Sequence, residues 1–142
     1  MAERRRAAPI TVERTDFIAL PVKDMERAKR FYADLLGIPS PNLQAAWPEF
    51  ETGNVSLYLV DPTAMGAEFA PHRTAIALRV PDVQESRARL EEAGVAFAGE
   101  ILDTGVCHMA FFDDSEGNAL MLHRRYAAPA ASAVPQEVTA GG

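Results

Sequence analysis

The stretch from Asp103 to His123, DTGVCHMAFFDDSEGNALMLH, gathers a cysteine, two histidines, two methionines and several carboxylates into one apparent hairpin. Thiol, imidazole and thioether are soft or borderline metal ligands, and a cysteine beside a histidine is also a nucleophile with its base. With the turn centred on Ser115, opposed residues pair Phe111 with Ala119, Met109 with Met121, and Cys107 with His123, all on one face. Four chemistries are open there. Cys107 is a small buried apolar group and His123 a hydrogen-bonded rim residue, or His123 is an acid or base acting on a bound ligand with Cys107 lining the pocket. A thiolate nucleophile lacks a third group to orient its base, and a Cys/His/Met copper site lacks a further ligand from outside the hairpin.

Other side chains suit binding rather than bond-making. Trp47, Phe50, Tyr58, Met109 and Phe111 are large apolar groups fit for an aromatic ligand, or for a core. Arg79 shares parity with Ala75 and Ala77, so it either reaches an anionic ligand or makes a rim salt bridge. Glu49 and Glu51 are expected to face solvent.

The rest of the 142-residue chain sets limits. Its net charge of −6, with basic residues scattered except for Arg4, Arg5 and Arg6, offers no track for phosphates, so nucleic acid is not an expected partner. The single cysteine allows no internal disulfide, which fits a reducing cytoplasm. No apolar run reaches membrane-spanning length, and the arginine-rich start lacks the apolar segment of a signal peptide. Residues 1–13 and 127–142 read as flexible tails, because Ala, Pro, Ser and Gly cannot repay the entropy of ordering.

Between the tails an element order repeats. TDFIALPV reads as a strand, and DMERAKRFYADLLG as a helix with Asp24 as N-cap and Gly37 as its stop. Three short strands follow: NLQAA, then a pair about the turn Thr52–Gly53–Asn54 within PEFETGNVSLYLV. The second half has the strand TAIALRV, a helix capped by Asp82 with Glu85 and closed by Gly94, and the strands VAFAG, VCHMAFF and NALML. Asp24 and Asp82, Gly37 and Gly94, and Gly53 and Gly117 lie 58, 57 and 64 residues apart, as in a duplicated module. The expected fold is α+β, with two βαβββ modules at 14–62 and 74–126, a linker at 63–73, and curved sheets around a shared cleft. The expected core between helices and sheets holds Ile18, Leu20, Val22, Phe31, Leu35, Ile76, Leu78, Val80, Leu90, Leu120 and Leu122.

The segments TDFIALPVKDMERAKRFYADLLGI and FFDDSEGNALML resemble the vicinal oxygen chelate superfamily, which includes glyoxalase I, extradiol dioxygenases, methylmalonyl-CoA epimerase and the fosfomycin and bleomycin resistance proteins. The resemblance covers roughly Thr15 to Tyr126. It implies four cleft-facing ligand positions, which fall here on Phe17, Tyr58, Ala75 and Met121 and supply at most one poor oxygen donor. No metal or other cofactor is therefore expected, and a non-standard site would have to recruit His72, His108 or His123. It places Met121 in the cleft, so the hairpin face with Cys107, Met109, Phe111 and His123 is the cleft face and His108 points to the helices. It also points to a homodimer. The expected function is sequestration of a small, partly aromatic molecule, as in bleomycin resistance, by Phe17, Trp47, Tyr58, Arg79, Cys107, Met109, Phe111 and Met121. The alternative is a lyase or isomerase acting on a metabolite or natural-product intermediate, with His123 as acid or base.

Overall fold

The computed structural model describes residues 8–128. Most of the two expected tails, 1–7 and 129–142, lies outside the described residues. Strand β1 (Phe17–Pro21) leads to helix α1 (Met25–Arg30), then β2 (Glu49–Glu51) and β3 (Ser56–Val60). The second half runs β4 (Ile76–Arg79), α2 (Val83–Glu92), β5 (Phe97–Asp103), β6 (Cys107–Asp113) and β7 (Ala119–Arg125). The order is β1-β3-β2 in a three-stranded sheet and β4-β7-β6-β5 in a four-stranded one, an α+β architecture.

The helix starts are where the carboxylates place them. Asp24 Oδ1 accepts from the Arg27 N–H at 3.1 Å and Asp82 Oδ1 from the Glu85 N–H at 2.8 Å, each satisfying a donor the first turn leaves open. Helix α1 then widens into a π-helical turn, Phe31–Leu35, in which the Leu36 N–H reaches Phe31 O at 3.1 Å. The inserted residue rotates the apolar stripe. Phe31 and Tyr32 are both buried while Leu35 is 38% exposed, so Leu35 leaves the expected core. The other ten residues of that set pack in or against one cluster that spans both modules.

Module one has one strand fewer than expected. Asn42, within NLQAA, accepts the Glu49 N–H on its side-chain oxygen at 2.9 Å, and its carbonyl accepts the Ala45 N–H. Local bonding of this kind, among Pro39, Pro41 and Pro48, holds a turn where a strand would need a free edge.

The closing hairpin forms with its register moved by two. Phe111 lies opposite Met121, Met109 opposite His123, and Cys107 opposite Arg125 rather than His123. The turn centres on Glu116 because Asp114 and Asn118 close it, Asp114 N–H donating to Asn118 O at 2.8 Å. A shift of two keeps every side chain on its face. Between Ala98 and Leu102 the β5–β6 pairing has a bulge, and Gly99, at φ +68°, supplies the left-handed backbone it needs.

Candidate functional site

In the four-stranded sheet, Leu120, Leu122, Ala110 and Phe112 turn to the core, so their neighbours form the opposite, open face. That face carries Met109, Phe111, Met121 and His123, all half-buried. The parallel β4–β7 ladder adds Ala77 beside Met121 and Arg79 beside His123. Arg79 thus stands on the expected face.

The other aromatic candidates occupy the open face of the three-stranded sheet. Phe17 and Tyr58 meet edge to face with centroids 5.0 Å apart, and Trp47 meets Tyr58 at 6.4 Å. Phe17 is 47% exposed, so nearly half of its surface is open to a ligand or partner. Phe50, by contrast, is fully buried and packs on Tyr32, so it is core. Within one chain the expected pocket is split: Phe17, Trp47 and Tyr58 sit on one sheet, and Met109, Phe111, Met121 and His123 on the other.

A cavity of about 1030 Å³ reaches Phe111, Met121 and Ala75 from the open side and Phe31, Leu35 and Phe97 from the helix side. Tyr58, Met109 and His123 do not line it, so it overlaps only part of the expected site. A second, of about 750 Å³, runs between the modules past Ile18, Leu57, Ile76 and Arg79.

Cys107 is buried, with Sγ 3.1 Å from Thr104 Oγ1 in the β5–β6 turn. With Arg125 opposite it, the direct Cys107–His123 pairing behind the thiolate reading is not formed. His123 has Arg79 and Met109 for cross-strand neighbours, neither of which accepts a proton or orients an imidazole. The histidine that does meet a carboxylate is His108. Its Nε2 lies 3.4 Å from Asp103 and its ring 4.7 Å from Tyr126, on the side away from Met109. The Gly105 N–H and the Tyr126 hydroxyl, both donating to Asp103, hold its carboxyl below the usual range.

The four positions at which the resemblance puts metal ligands carry Phe17, Tyr58, Ala75 and Met121. A phenyl, a phenol, a methyl and a thioether do not fit a divalent cation. Among the described residues no group of three or more His, Cys, Asp or Glu could hold one.

The polar centre of the molecule lies where the sequence suggested only a hairpin loop. Asp114, Glu116 and Asn118 are all buried. Glu116 accepts from the Lys23 and Asp24 N–H groups, both at 2.8 Å, from Arg27 Nε at 2.9 Å and from Ser115 Oγ at 2.7 Å. Burial pushes its carboxyl up, but Arg27 and these other donors outweigh it and hold it at about 2. Asp114 accepts the Tyr32 hydroxyl at 2.5 Å, and burial followed by this carboxylate raises the phenol well above its ordinary range. Asn118 Nδ2 donates to Pro21 O and to Asp114, while its Oδ1 accepts the His72 N–H. This turn joins the start of module one to the end of module two. The acidic and amide residues of DDSEGN are those of an ordinary solvated turn, so the sequence carries no local signal for this docking.

A family model described as Glyoxalase/Bleomycin resistance protein/Dioxygenase superfamily matches residues 14–122. TnmS3, an antibiotic binding protein from Streptomyces sp. CB03234, is 31% identical, with a TM-score of 0.66 over 82% of this chain and 98% of its own. A glyoxalase/bleomycin resistance protein from the same organism is 32% identical, with a TM-score of 0.62 over 78% and 99%. A Nocardioides glyoxalase/bleomycin resistance protein/dioxygenase, 18% identical with a TM-score of 0.69 over 87% and 91%, shares the fold. No curated protein matches the chain.

Proposed function

The chain belongs to the Glyoxalase/Bleomycin resistance protein/Dioxygenase superfamily, and we propose that it is a binding member that sequesters a small, partly aromatic molecule without a resident metal. The observation that carries this reading is the pair of open sheet faces furnished for stacking rather than chelation, Phe17–Tyr58–Trp47 on one and Phe111 with Met109 and Met121 on the other. Similarity to a protein described as antibiotic binding supports the same class of ligand. His123 as an acid or base has weaker support, since its cross-strand neighbours include no carboxylate.

The two faces become one cleft if two copies lay the three-stranded face of each over the four-stranded face of the other. This homodimer would cover Phe17 and Leu102, 47% and 49% exposed in the single chain. No helix among the described residues is long and apolar enough to cross a membrane. We place the protein in the cytoplasm, where its lone thiol stays reduced.

Trp47 is the sole tryptophan, so its fluorescence reads one place. Titration with polycyclic aromatic antibiotics should quench it saturably, and Tyr58→Ala or Phe111→Ala should weaken the best ligand by about tenfold or more. Quenching that never saturates across such a panel would refute the reading.

A further inference from the structure

Resting on that binding reading, we propose that the ligand carries an anionic group, a carboxylate, sulfonate or acidic phenol, held by Arg79, Arg125 and His123 at one end of the four-stranded open face. The ladders fix this grouping. Arg79 lies beside His123 across β4–β7, and Arg125 follows two residues along β7 on the same face. Adjacent strands are about 4.8 Å apart and alternate residues about 7 Å, so the three side chains rise from one small patch.

Among the described residues no carboxylate of this sheet forms an ion pair with the patch. Cross-strand neighbours of the same parity are Cys107 and Met109, and the one acid of that parity on β6, Asp113, sits at the far end bound to Arg73 at 3.1 Å. Neither Arg79 nor Arg125 makes an ion pair with another described residue, and both are exposed. Glu51 lines the inter-module groove with Arg79 and takes the Ser56 Oγ donor at 2.9 Å, without an ion pair to Arg79. In a chain of net charge −6, two guanidiniums without an ion pair among the described residues, flanking an imidazole, are a local reversal of sign. Met109 and Met121 continue the face from His123 towards Phe111, so a charged head at the arginines leaves an aromatic body over apolar side chains. Arginine presents a planar donor fork that matches such oxyanions.

Two probes with the same rings separate the charge from the stacking: 1-anilinonaphthalene-8-sulfonate and the neutral N-phenyl-1-naphthylamine, each titrated by its own fluorescence. The full chain should bind the sulfonate at least about tenfold more tightly, and higher salt should narrow that gap. Arg79→Gln with Arg125→Gln should erase the preference and leave the neutral probe within about twofold, while Arg79→Lys with Arg125→Lys keeps part of it. Equal affinity of the unaltered protein for both probes overturns the anionic head while the aromatic site stands. Failure to bind either probe overturns both. A glutamine pair that keeps the preference but abolishes dimerisation also overturns the proposal, assigning these arginines to the partner copy.

Discussion

Glu116→Gln keeps the size of a fully buried side chain and removes its charge. In the native turn Oε1 takes the Lys23 and Asp24 N–H groups and Arg27 Nη2, and Oε2 takes Arg27 Nε and Ser115 Oγ. A glutamine oxygen placed at Oε1 preserves the backbone bonds, but its NH2 then faces the Arg27 donor and the charge-assisted pair is lost. A carboxyl held at about 2 instead of 4.5 is worth at most about 3.5 kcal/mol, at roughly 1.4 kcal/mol per tenfold change in proton affinity. Arg27, 46% exposed, recovers solvent when the pair breaks, so a loss of about 1–3 kcal/mol is expected. Urea unfolding near neutral pH should show a midpoint lower by about 1 M at an unchanged slope. The depressed carboxyl contributes its stability fully above about 4.5 and loses it as pH falls towards about 2. The deficit of the variant should therefore shrink across that window. A deficit under about 0.5 kcal/mol near neutrality, or one that persists unchanged at the acid end, would refute the account of this turn.

Asn118→Ala removes a fully buried amide from Pro21 O, the His72 N–H and Asp114, partly buried bonds among them, and should cost about 1–3 kcal/mol by the same unfolding measurement; a loss under about 1 kcal/mol would show that water replaces the amide. Sedimentation at micromolar concentration should give a dimer, and a monomer would remove the two-copy cleft. Elemental analysis of purified protein should find no stoichiometric divalent metal, whereas near one zinc, nickel, iron or manganese per chain would overturn the metal-free reading and bring His72, His108 and His123 under test.

The parts of the fold legible in the sequence were those with local causes. Asp24 and Asp82 announce helix starts, Gly37 and Gly94 their ends, and period-two alternation gives the faces of β1, β4, β6 and β7. Non-local bonding decided the rest. Nothing within DDSEGN says that Glu116 will find N–H groups 92 and 93 residues away, yet that docking and the Asp114–Asn118 closure move the turn centre by one residue and the register by two. Faces survived this because side-chain alternation has the same period, so Met109, Phe111, Met121 and His123 still stand together while the Cys107–His123 pair does not. Leu35 was misplaced because a π-helical turn leaves no mark in a 3.6-residue pattern.

The buried turn also sets an order in time. On a ribosome, the first residues of α1 emerge long before Glu116 exists, and until it arrives the Lys23 and Asp24 N–H groups must bond to water. The first half of the chain can therefore begin its sheet but cannot finish its helix start until the last hairpin has been made. The chain completes the start of α1 only once the β6–β7 turn has been made, and a message truncated before Glu116 yields a first module without that contact.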